Sequence, residues 1–290
     1  MTKTAFVLAG GGSFGAVQVG MLRALEAHGV KPDLVVGSSV GAINGAYYAA
    51  APTAEGIERL RQIWLGLRRA DIFPVGFEAL LGLIWSRGFL VSSHGLRSLL
   101  ERHLPYRGLE AAHVPVHVIA TDLLSGEAVA LSKGSAVDAI LASCAIPAAF
   151  APVRLDDRFL VDGAVANNTP IRIAAQLGAT RIIVLPTGFG CALENPPRGT
   201  IATALHAITL IIARQLVSDL ESMESVVEII TIPPLCPLKC SAYDFSRTGE
   251  LIERAAENTE KWLMARGLEP GIIPGALRAH HHSVRIDQDG

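Results

Sequence analysis

Short apolar runs rich in β-branched residues alternate along the chain with longer segments in which apolar residues recur at helical spacing. The runs predict strands at residues 4–8, 34–36, 116–121, 159–161, 182–185 and 226–232. The helical pattern predicts helices at residues 16–28, 42–50, 55–68, 93–103, 136–143, 171–177, 203–223 and 249–266. Strands that alternate with helices are typical of an α/β fold in which helices cover both faces of a mainly parallel sheet.

The end of the chain lacks this alternation. Residues 1–266 are therefore expected to form a single domain, and residues 267–290, which carry few apolar side chains, a flexible tail. The run from His280 to His282 in that tail is interpreted as solvated rather than metal-binding.

A G-x-S-x-G motif, Gly37-Ser38-Ser39-Val40-Gly41, joins the second predicted strand to the helix that follows it. In a nucleophile elbow this motif forms a sharp strand-to-helix turn that holds a serine in an exposed, strained position. Glycines at 37 and 41 lack the Cβ atoms that would obstruct the crowded backbone of such a turn. The context therefore predicts Ser39 as a nucleophile.

The first predicted strand leads directly into a glycine loop that contains Gly10, Gly11, Gly12 and Gly15. The G-x-G-x-x-G spacing fits a dinucleotide-binding fingerprint, but that site needs an acidic residue at the carboxyl end of the second strand. Asp33 precedes that strand and so lies at its wrong end, and no lysine follows the loop as a P-loop requires. The favoured interpretation is an oxyanion hole built from backbone N–H groups at a helix N-terminus.

A serine nucleophile needs a base, and the sequence offers an aspartate rather than a histidine. Most of the nine histidines fall in predicted helices, in a strand and in the tail, and none follows a strand at a glycine-marked turn. Asp162 ends the predicted strand at 159–161 and precedes Gly163. An Asp-Gly pair alone indicates only a turn. Beside an elbow serine and a glycine loop, Asp162 becomes the best candidate for the base.

Composition narrows the classes of function and location. Hydrophobic residues make up 50% of the 290 residues, enough for a large core, and a net charge of −2 gives no support for binding nucleic acid. The four cysteines lack paired zinc-type spacing and are interpreted as reduced thiols of a cytoplasmic protein. No secretion signal is expected, since the apolar run at 5–9 near the N-terminus is too short for one. No membrane-spanning helix is expected either, since the most apolar helical stretch, at 201–217, is too short and contains His206 and Arg214.

Three linked motifs, in this order and spacing, resemble those of the patatin-like phospholipases. They are Gly10-Gly11-Gly12-x-x-Gly15, Gly37-x-Ser39-x-Gly41-Ala42-x-Asn44 and Asp162-Gly163-Ala164-x-x-Asn167-Asn168-x-Pro170. The block Ala142-Ser143-Cys144-Ala145-Ile146-Pro147, with Phe150 and Pro152, also resembles a motif of that family. The resemblance covers about residues 4–190. One departure is Phe14, where the family usually has a basic residue, so a phosphate-contacting role of this loop is in doubt.

The resemblance implies a three-layer α/β/α sandwich and a lipid acyl hydrolase with a Ser-Asp dyad. Ser39 would be the nucleophile, Asp162 the general base, and the amides of Gly10, Gly11 and Gly12 the oxyanion hole. The expected substrates are phospholipids, lysophospholipids or other fatty-acyl esters, cleaved through an acyl-serine intermediate with no metal or cofactor. Peripheral contact with a membrane fits such substrates.

Two alternative functions remain open on the sequence alone. An α/β-hydrolase-like carboxylesterase would use a Ser-Asp-His triad completed by His206, although that fold places several strands before its nucleophile. A non-enzymatic nucleotide-binding α/β protein would use only the glycine loop. The apolar segment at 72–91 has two interpretations of equal weight, a mobile cap over an acyl site or an insertion that packs in the core.

Overall fold

The computed structural model describes residues 2–72, 91–193, 195–197, 200–266 and 268–280. The strands within these ranges are β1 (Thr4–Leu8), β2 (Leu34–Ser38), β3 (Val116–Asp122), β4 (Ala128–Leu131), β5 (Val153–Leu155), β6 (Arg158–Asp162), β7 (Arg181–Leu185) and β8 (Glu228–Thr231). The helices are α1 (Gly15–Ala27), α2 (Val40–Ala50), α3 (Ala54–Gly66), α4 (Arg69–Ile72), α5 (His94–His103), α6 (Ala136–Ser143), α7 (Ala164–Asn167), α8 (Ile171–Gln176), α9 (Thr200–Met223) and α10 (Thr248–Arg266). Short 3-10 turns occur at Gly12–Phe14, Leu109–Ala111 and Gly275–Leu277.

The strands form one mixed sheet in the order β5-β6-β3-β2-β1-β7-β8, with β4 paired to β3 off this path. The five strands from β3 to β8 in this order run parallel to one another. The remaining three, β4, β5 and β6, pair in antiparallel fashion at the β3 end of the sheet. The expectation of a mainly parallel sheet is thus confirmed, with an antiparallel extension at one side.

Alternate residues of the central strands bury their side chains on opposite faces of the sheet. In β1, Phe6 and Leu8 belong to a core cluster with α1, α2, α3, α5, α6 and α10. The intervening residues Ala5 and Val7 belong to a second cluster, with α8 and α9. This period of two follows from strand geometry, and it gives the expected three-layer α/β/α sandwich.

Most predicted elements agree with the structure to within a few residues, and the exceptions have local causes. Strands β4 and β5 were not predicted, because they are only four and three residues long and lie partly exposed. The predicted strand at 226–232 is shorter at both ends. Val226 is 66% exposed, and its N–H donates to the carbonyl of Met223 in the turn that follows α9.

Residues 268–280, within the segment expected to be a tail, contact the folded body. The N–H of Gly271 donates to the carbonyl of Ile229 at 2.9 Å, and Leu277 is buried against residues of α9. The domain boundary after residue 266 stays a prediction. The apolar segment at 72–91 lies outside the described residues except for its two ends. Among the described helices, none is long and apolar enough to cross a membrane.

Candidate active site

The register of the sheet brings the elbow, the glycine loop and Asp162 together. Leu8, the last residue of β1, lies opposite Gly37 in β2. Ser38, the last residue of β2, lies opposite Ile119 in β3, and Asp162, the last residue of β6, lies opposite the next residue of β3. The glycine loop and the elbow therefore follow neighbouring parallel strands at the carboxyl edge of the sheet, where α/β folds build their sites. Strand β6 runs antiparallel to β3, and its pairing with β3 places Asp162 near the same edge.

Ser39 occupies the sharp turn between β2 and α2 with φ 53° and ψ −127°. A non-glycine residue in this part of conformational space carries strain of about 1–3 kcal/mol, so the surrounding structure must hold it there. A Cβ on Gly37 would collide with the carbonyl oxygen of Gly41, and a Cβ on Gly41 would collide with the carbonyl oxygen of Leu8. Both motif glycines are thus needed for close backbone approach.

Ser143, at the end of α6, supports the strained turn. Its hydroxyl oxygen accepts a 2.9 Å hydrogen bond from the N–H of Ser39, and the hydroxyl donates to the carbonyl of Ile119. The carbonyl of Ser143 accepts from the N–H of Gly163 at 3.2 Å. One residue therefore links β3, the elbow and the loop after β6. The sequence motif 142–147 contained Ser143, but its spacing gave no indication of this role.

Asp162 is hydrogen-bonded directly to the elbow serine. The Ser39 hydroxyl donates to Oδ2 of Asp162 at 2.7 Å, and the N–H of Ala164 donates to Oδ1 at 2.8 Å. The carboxylate is only 3% exposed, and this burial raises its pKa from 3.8 to about 6, although both hydrogen bonds act to lower it. A carboxylate of this pKa is ionised at neutral pH yet is a stronger base than an ordinary aspartate.

The three glycines of the loop differ in whether their N–H groups are engaged. The N–H of Gly10 donates to the carbonyl of Asn168 at 3.2 Å. The N–H groups of Gly11 and Gly12 donate to no acceptor among the described residues. Gly12 has φ 59°, which favours glycine, and it lines the same cavity as Ser39. An ideal Cβ on Gly10 would lie 3.1 Å from the Cβ of Ser39, so the loop and the elbow are in close contact.

One side-chain and one backbone hydrogen bond hold the glycine loop to the segments that lie after β7 and β8. The hydroxyl of Thr187, just after β7, donates to the carbonyl of Gly10 at 2.8 Å. The N–H of Ser13 donates to the carbonyl of Ala242 at 2.7 Å. The loop is thus held by the segments that follow β7 and β8, in a part of the chain for which the sequence offered no motif.

A buried chain of polar side chains ties the helices to the strand ends. The indole N–H of Trp64 donates to the side chain of Asn44, which donates to the side chain of Gln18, each at 2.9 Å. The amide of Gln18 then donates to the carbonyls of Ala9 and Leu185 at 2.8 and 3.0 Å. Asn44 belongs to the elbow motif, whereas Gln18 and Trp64 gave no sequence signal.

A small apolar cavity of about 70 Å³ lies beside Ser39. Its described lining is almost entirely aliphatic and aromatic and comes largely from α2, α3 and α5, with Ile43, Ile63 and Leu99 as examples. Ser39 itself is 9% exposed. The arrangement places a serine hydroxyl, a buried base and unengaged backbone N–H groups beside an apolar space, which suits attack on the carbonyl of an ester with an apolar acyl group.

Other candidate residues lie away from this cavity. His206 and Phe14 line a separate cavity of about 10 Å³, and Phe14 is 1% exposed. Among the described residues no histidine lines the cavity of Ser39. The carboxylate of Asp33 accepts from the N–H of Thr4, at the amino end of β1 and so at the opposite edge of the sheet. Among the described His, Cys, Asp and Glu side chains, those that lie close enough together to share a metal ion do not include Asp162.

Comparison with known proteins places these features in a family. Residues 6–175 match the family model described as patatin-like phospholipase. Patatin-like phospholipase domain-containing protein 7 of Rattus norvegicus is 28% identical over 186 residues, which are 63% of this chain and 13% of the rat protein. An NTE family protein of Mycobacterium bovis is 30% identical over 183 residues, 63% of this chain and 48% of that protein. The aligned part of the chain thus covers less than half the length of each of these relatives.

Two solved structures are similar at lower sequence identity. VipD from Legionella pneumophila aligns with a TM-score of 0.48 and 15% identity, over 91% of this chain and 67% of that one. Human GIVD cytosolic phospholipase A2, solved with methyl gamma-linolenyl fluorophosphonate, aligns with a TM-score of 0.47 and 12% identity, over 91% of this chain and 58% of the human chain.

Proposed function

Because the chain belongs to the patatin-like phospholipase family, we propose that it is a serine lipid acyl hydrolase that cleaves fatty-acyl esters of phospholipids or lysophospholipids. The observation that carries the proposal is the 2.7 Å hydrogen bond from the Ser39 hydroxyl to the buried carboxylate of Asp162. A strained elbow serine in contact with a base of raised pKa has the features of an activated nucleophile.

In the acylation step, Ser39 Oγ attacks the ester carbonyl carbon while its proton moves to Oδ2 of Asp162. The carbonyl electron pair moves onto the oxygen, giving a tetrahedral oxyanion. Collapse of this species breaks the ester C–O bond, and the leaving alkoxide takes the proton from Asp162 to depart as an alcohol. General-base assistance of this kind contributes about 10²–10⁴ in rate.

The oxyanion is stabilised by the backbone N–H groups of Gly11 and Gly12. From the sequence, the N–H groups of Gly10, Gly11 and Gly12 were expected to form the oxyanion hole. Because the N–H of Gly10 already donates to the carbonyl of Asn168, we propose only Gly11 and Gly12 as donors. Loss of one such donor raises the barrier by about 2.7–4 kcal/mol. The N-terminus of α2, directly after Ser39, adds positive potential at the same place.

Deacylation uses the same residues in reverse. A water molecule gives a proton to Asp162 and attacks the acyl carbon, and Ser39 Oγ leaves with that proton as the fatty acid forms. The apolar cavity beside Ser39 accepts the part of the acyl chain nearest the ester. Its volume of about 70 Å³ is well below the roughly 300–1,000 Å³ of ordinary ligand pockets, so a long acyl chain must extend beyond it.

The triad and the nucleotide-binding alternatives have less support. A triad needs a histidine between the serine and the aspartate, whereas here the two side chains contact each other directly. His206 lines a different cavity. A dinucleotide site needs an acidic residue at the carboxyl end of β2, and that end is occupied by the elbow.

The test is hydrolysis of phosphatidylcholine, lysophosphatidylcholine and p-nitrophenyl esters by the wild type and two serine variants. We expect Ser39→Ala to remain folded and to lose about 10⁴–10⁶ of the rate. Ser38→Ala is the matched control, since the adjacent Ser38 hydroxyl is buried and has no hydrogen-bond partner among the described residues. Near-normal hydrolysis by Ser39→Ala would refute the proposal, and a panel with no turnover by the wild type would refute the lipid substrate class.

A further inference from the structure

Cys191, Cys236 and His280 come together on the surface beyond the ends of β7 and β8. The two sulfur atoms are 3.8 Å apart, and Nε2 of His280 lies 3.2 Å from the Cys236 sulfur. All three potential ligand atoms lie within 4.8 Å of one another. Cys191 and Cys236 are 45 positions apart in the sequence, and Cys236 and His280 are 44 apart, so no local sequence motif indicates the group.

The two distances that involve the Cys236 sulfur are close to those of a tetrahedral metal site. With Zn–S bonds of about 2.3 Å and Zn–N bonds of about 2.0–2.1 Å, tetrahedral geometry separates two sulfurs by about 3.8 Å and a sulfur from a nitrogen by about 3.5 Å. The observed distances are 3.8 Å and 3.2 Å. A disulfide would instead require the sulfurs to be bonded at about 2.05 Å.

The contacts around the three side chains are those that orient metal ligands. Nδ1 of His280 lies 2.7 Å from the carbonyl oxygen of Arg278. A carbonyl oxygen only accepts, so Nδ1 carries the hydrogen, and in the neutral ring Nε2 then has its lone pair available toward Cys236. The N–H of Leu238 donates to the Cys191 sulfur at 3.4 Å, and the ring of Phe189 lies 5.9 Å from that of His280.

We propose that Cys191, Cys236 and His280 bind one thiophilic divalent ion of the zinc class in a tetrahedral site. Two thiols and an imidazole are the ligand types that Zn²⁺ prefers. Binding replaces the two thiol protons, which pass to solvent. Among the described residues no other His, Cys, Asp or Glu belongs to the group.

The metal ion would stabilise the structure by linking two segments of the chain and would take no part in catalysis. Cys191 lies four residues after Thr187, whose hydroxyl holds the carbonyl of Gly10. Cys236 lies six residues before Ala242, whose carbonyl holds the N–H of Ser13. An ion bound by both cysteines joins the two segments that support the glycine loop.

The test is titration of the reduced, metal-free full chain with Co²⁺, a spectroscopic substitute for Zn²⁺. We expect thiolate-to-cobalt charge-transfer bands and the intense visible bands of tetrahedral Co²⁺, saturating at one ion per chain and abolished by added Zn²⁺. The double variant Cys191→Ser/Cys236→Ser should lose both sets of bands. His280→Ala should weaken binding by more than the roughly 10–100-fold that loss of an outer partner produces.

Cys240→Ser is the matched control, because Cys240 is buried, lies four residues after Cys236 and stands outside the group. It should bind Co²⁺ as the wild type does. The absence of tetrahedral bands in the reduced wild type would overturn the proposal, and a Cys191–Cys236 disulfide in the oxidised chain would then assign the group to a thiol pair. Bands that survive in the double cysteine variant would assign Co²⁺ binding to other residues and would also overturn it. None of these readouts depends on ester hydrolysis.

Discussion

The raised pKa of Asp162 predicts that the carboxylate proposed as the base destabilises the fold at neutral pH. The gap between the ordinary pKa of 3.8 and the folded-state pKa of about 6 corresponds to about 3 kcal/mol, at about 1.36 kcal/mol per pKa unit. Between pH 3.8 and about pH 6 the folded protein binds more protons than the unfolded chain does. The free energy of unfolding of the wild type therefore falls as the pH rises through this window.

Asp162→Asn removes the titrating group and preserves the shape of the side chain. The asparagine carbonyl can accept from the N–H of Ala164, and its amide can donate to Ser39 Oγ. We expect the variant to gain stability relative to the wild type as the pH rises. The gain from this linkage should be about 3 kcal/mol at pH 8 and about half of that at pH 5. Hydrolysis should be nearly abolished, since no base remains.

The measurement is urea unfolding followed by tryptophan fluorescence at several pH values from 5 to 8, with the difference between variant and wild type taken at each pH. Any change in packing adds a constant, so the pH dependence isolates the carboxylate. Asp138→Asn is the control, because hydrogen bonds from Ser135 and Arg97 hold the pKa of Asp138 below its usual range despite partial burial. Its difference from the wild type should be flat over this range. A difference at Asp162 that is also flat, or that falls as the pH rises, would refute the reasoning.

Further predictions concern activity. The wild-type kcat/KM should fall as the pH drops below about 6, because protonated Asp162 cannot accept the serine proton; an unchanged rate at pH 5 would contradict this. His206→Ala should keep most of the activity, since His206 lines a separate cavity, and loss of turnover in a folded variant would instead favour a triad. Ser143→Ala should lower the free energy of unfolding by about 1–3 kcal/mol, because it leaves the buried N–H of Ser39 without its acceptor, and should slow acylation; an unaltered urea midpoint would count against it. Ile63→Trp should fill the apolar cavity and reduce hydrolysis of long-chain esters far more than of acetate esters, whereas equal reductions would show that the cavity does not hold the acyl chain.

The layout of the fold was largely predictable because its signals are local. Each central strand is a buried, β-branched run, and each long helix shows a helical period, so β1 and α6 were predicted with the bounds that the structure has. Strands β4 and β5 were missed because they are partly exposed and gain their structure from pairing with β3 and β6. Pairing of this kind depends on contacts that no local window contains.

The candidate site could be predicted only where the spacing of a motif along the chain determines the local structure, as it does at the elbow. The glycine loop and the elbow follow neighbouring parallel strands, so sheet topology could be expected to bring them to one edge. Asp162 ends an antiparallel strand and reaches that edge through the pairing of β6 with β3. The engaged N–H of Gly10 and the support from Ser143 depend on contacts over long sequence separations, 158 residues from Gly10 to Asn168 and 104 from Ser39 to Ser143. The spacing of the cysteines along the chain could not predict that Cys191, Cys236 and His280 lie together, because these residues are also far apart in the sequence.

The central claim is that Ser39 is the nucleophile, and covalent labelling tests it most directly. The protein would be treated with a long-chain alkyl fluorophosphonate, followed by intact mass measurement and peptide mapping. The account predicts a single adduct on Ser39, formed more slowly in Asp162→Asn and absent from Ser39→Ala, with Ser38→Ala labelled as the wild type is. An adduct on another residue, or full labelling of Ser39→Ala, would contradict it.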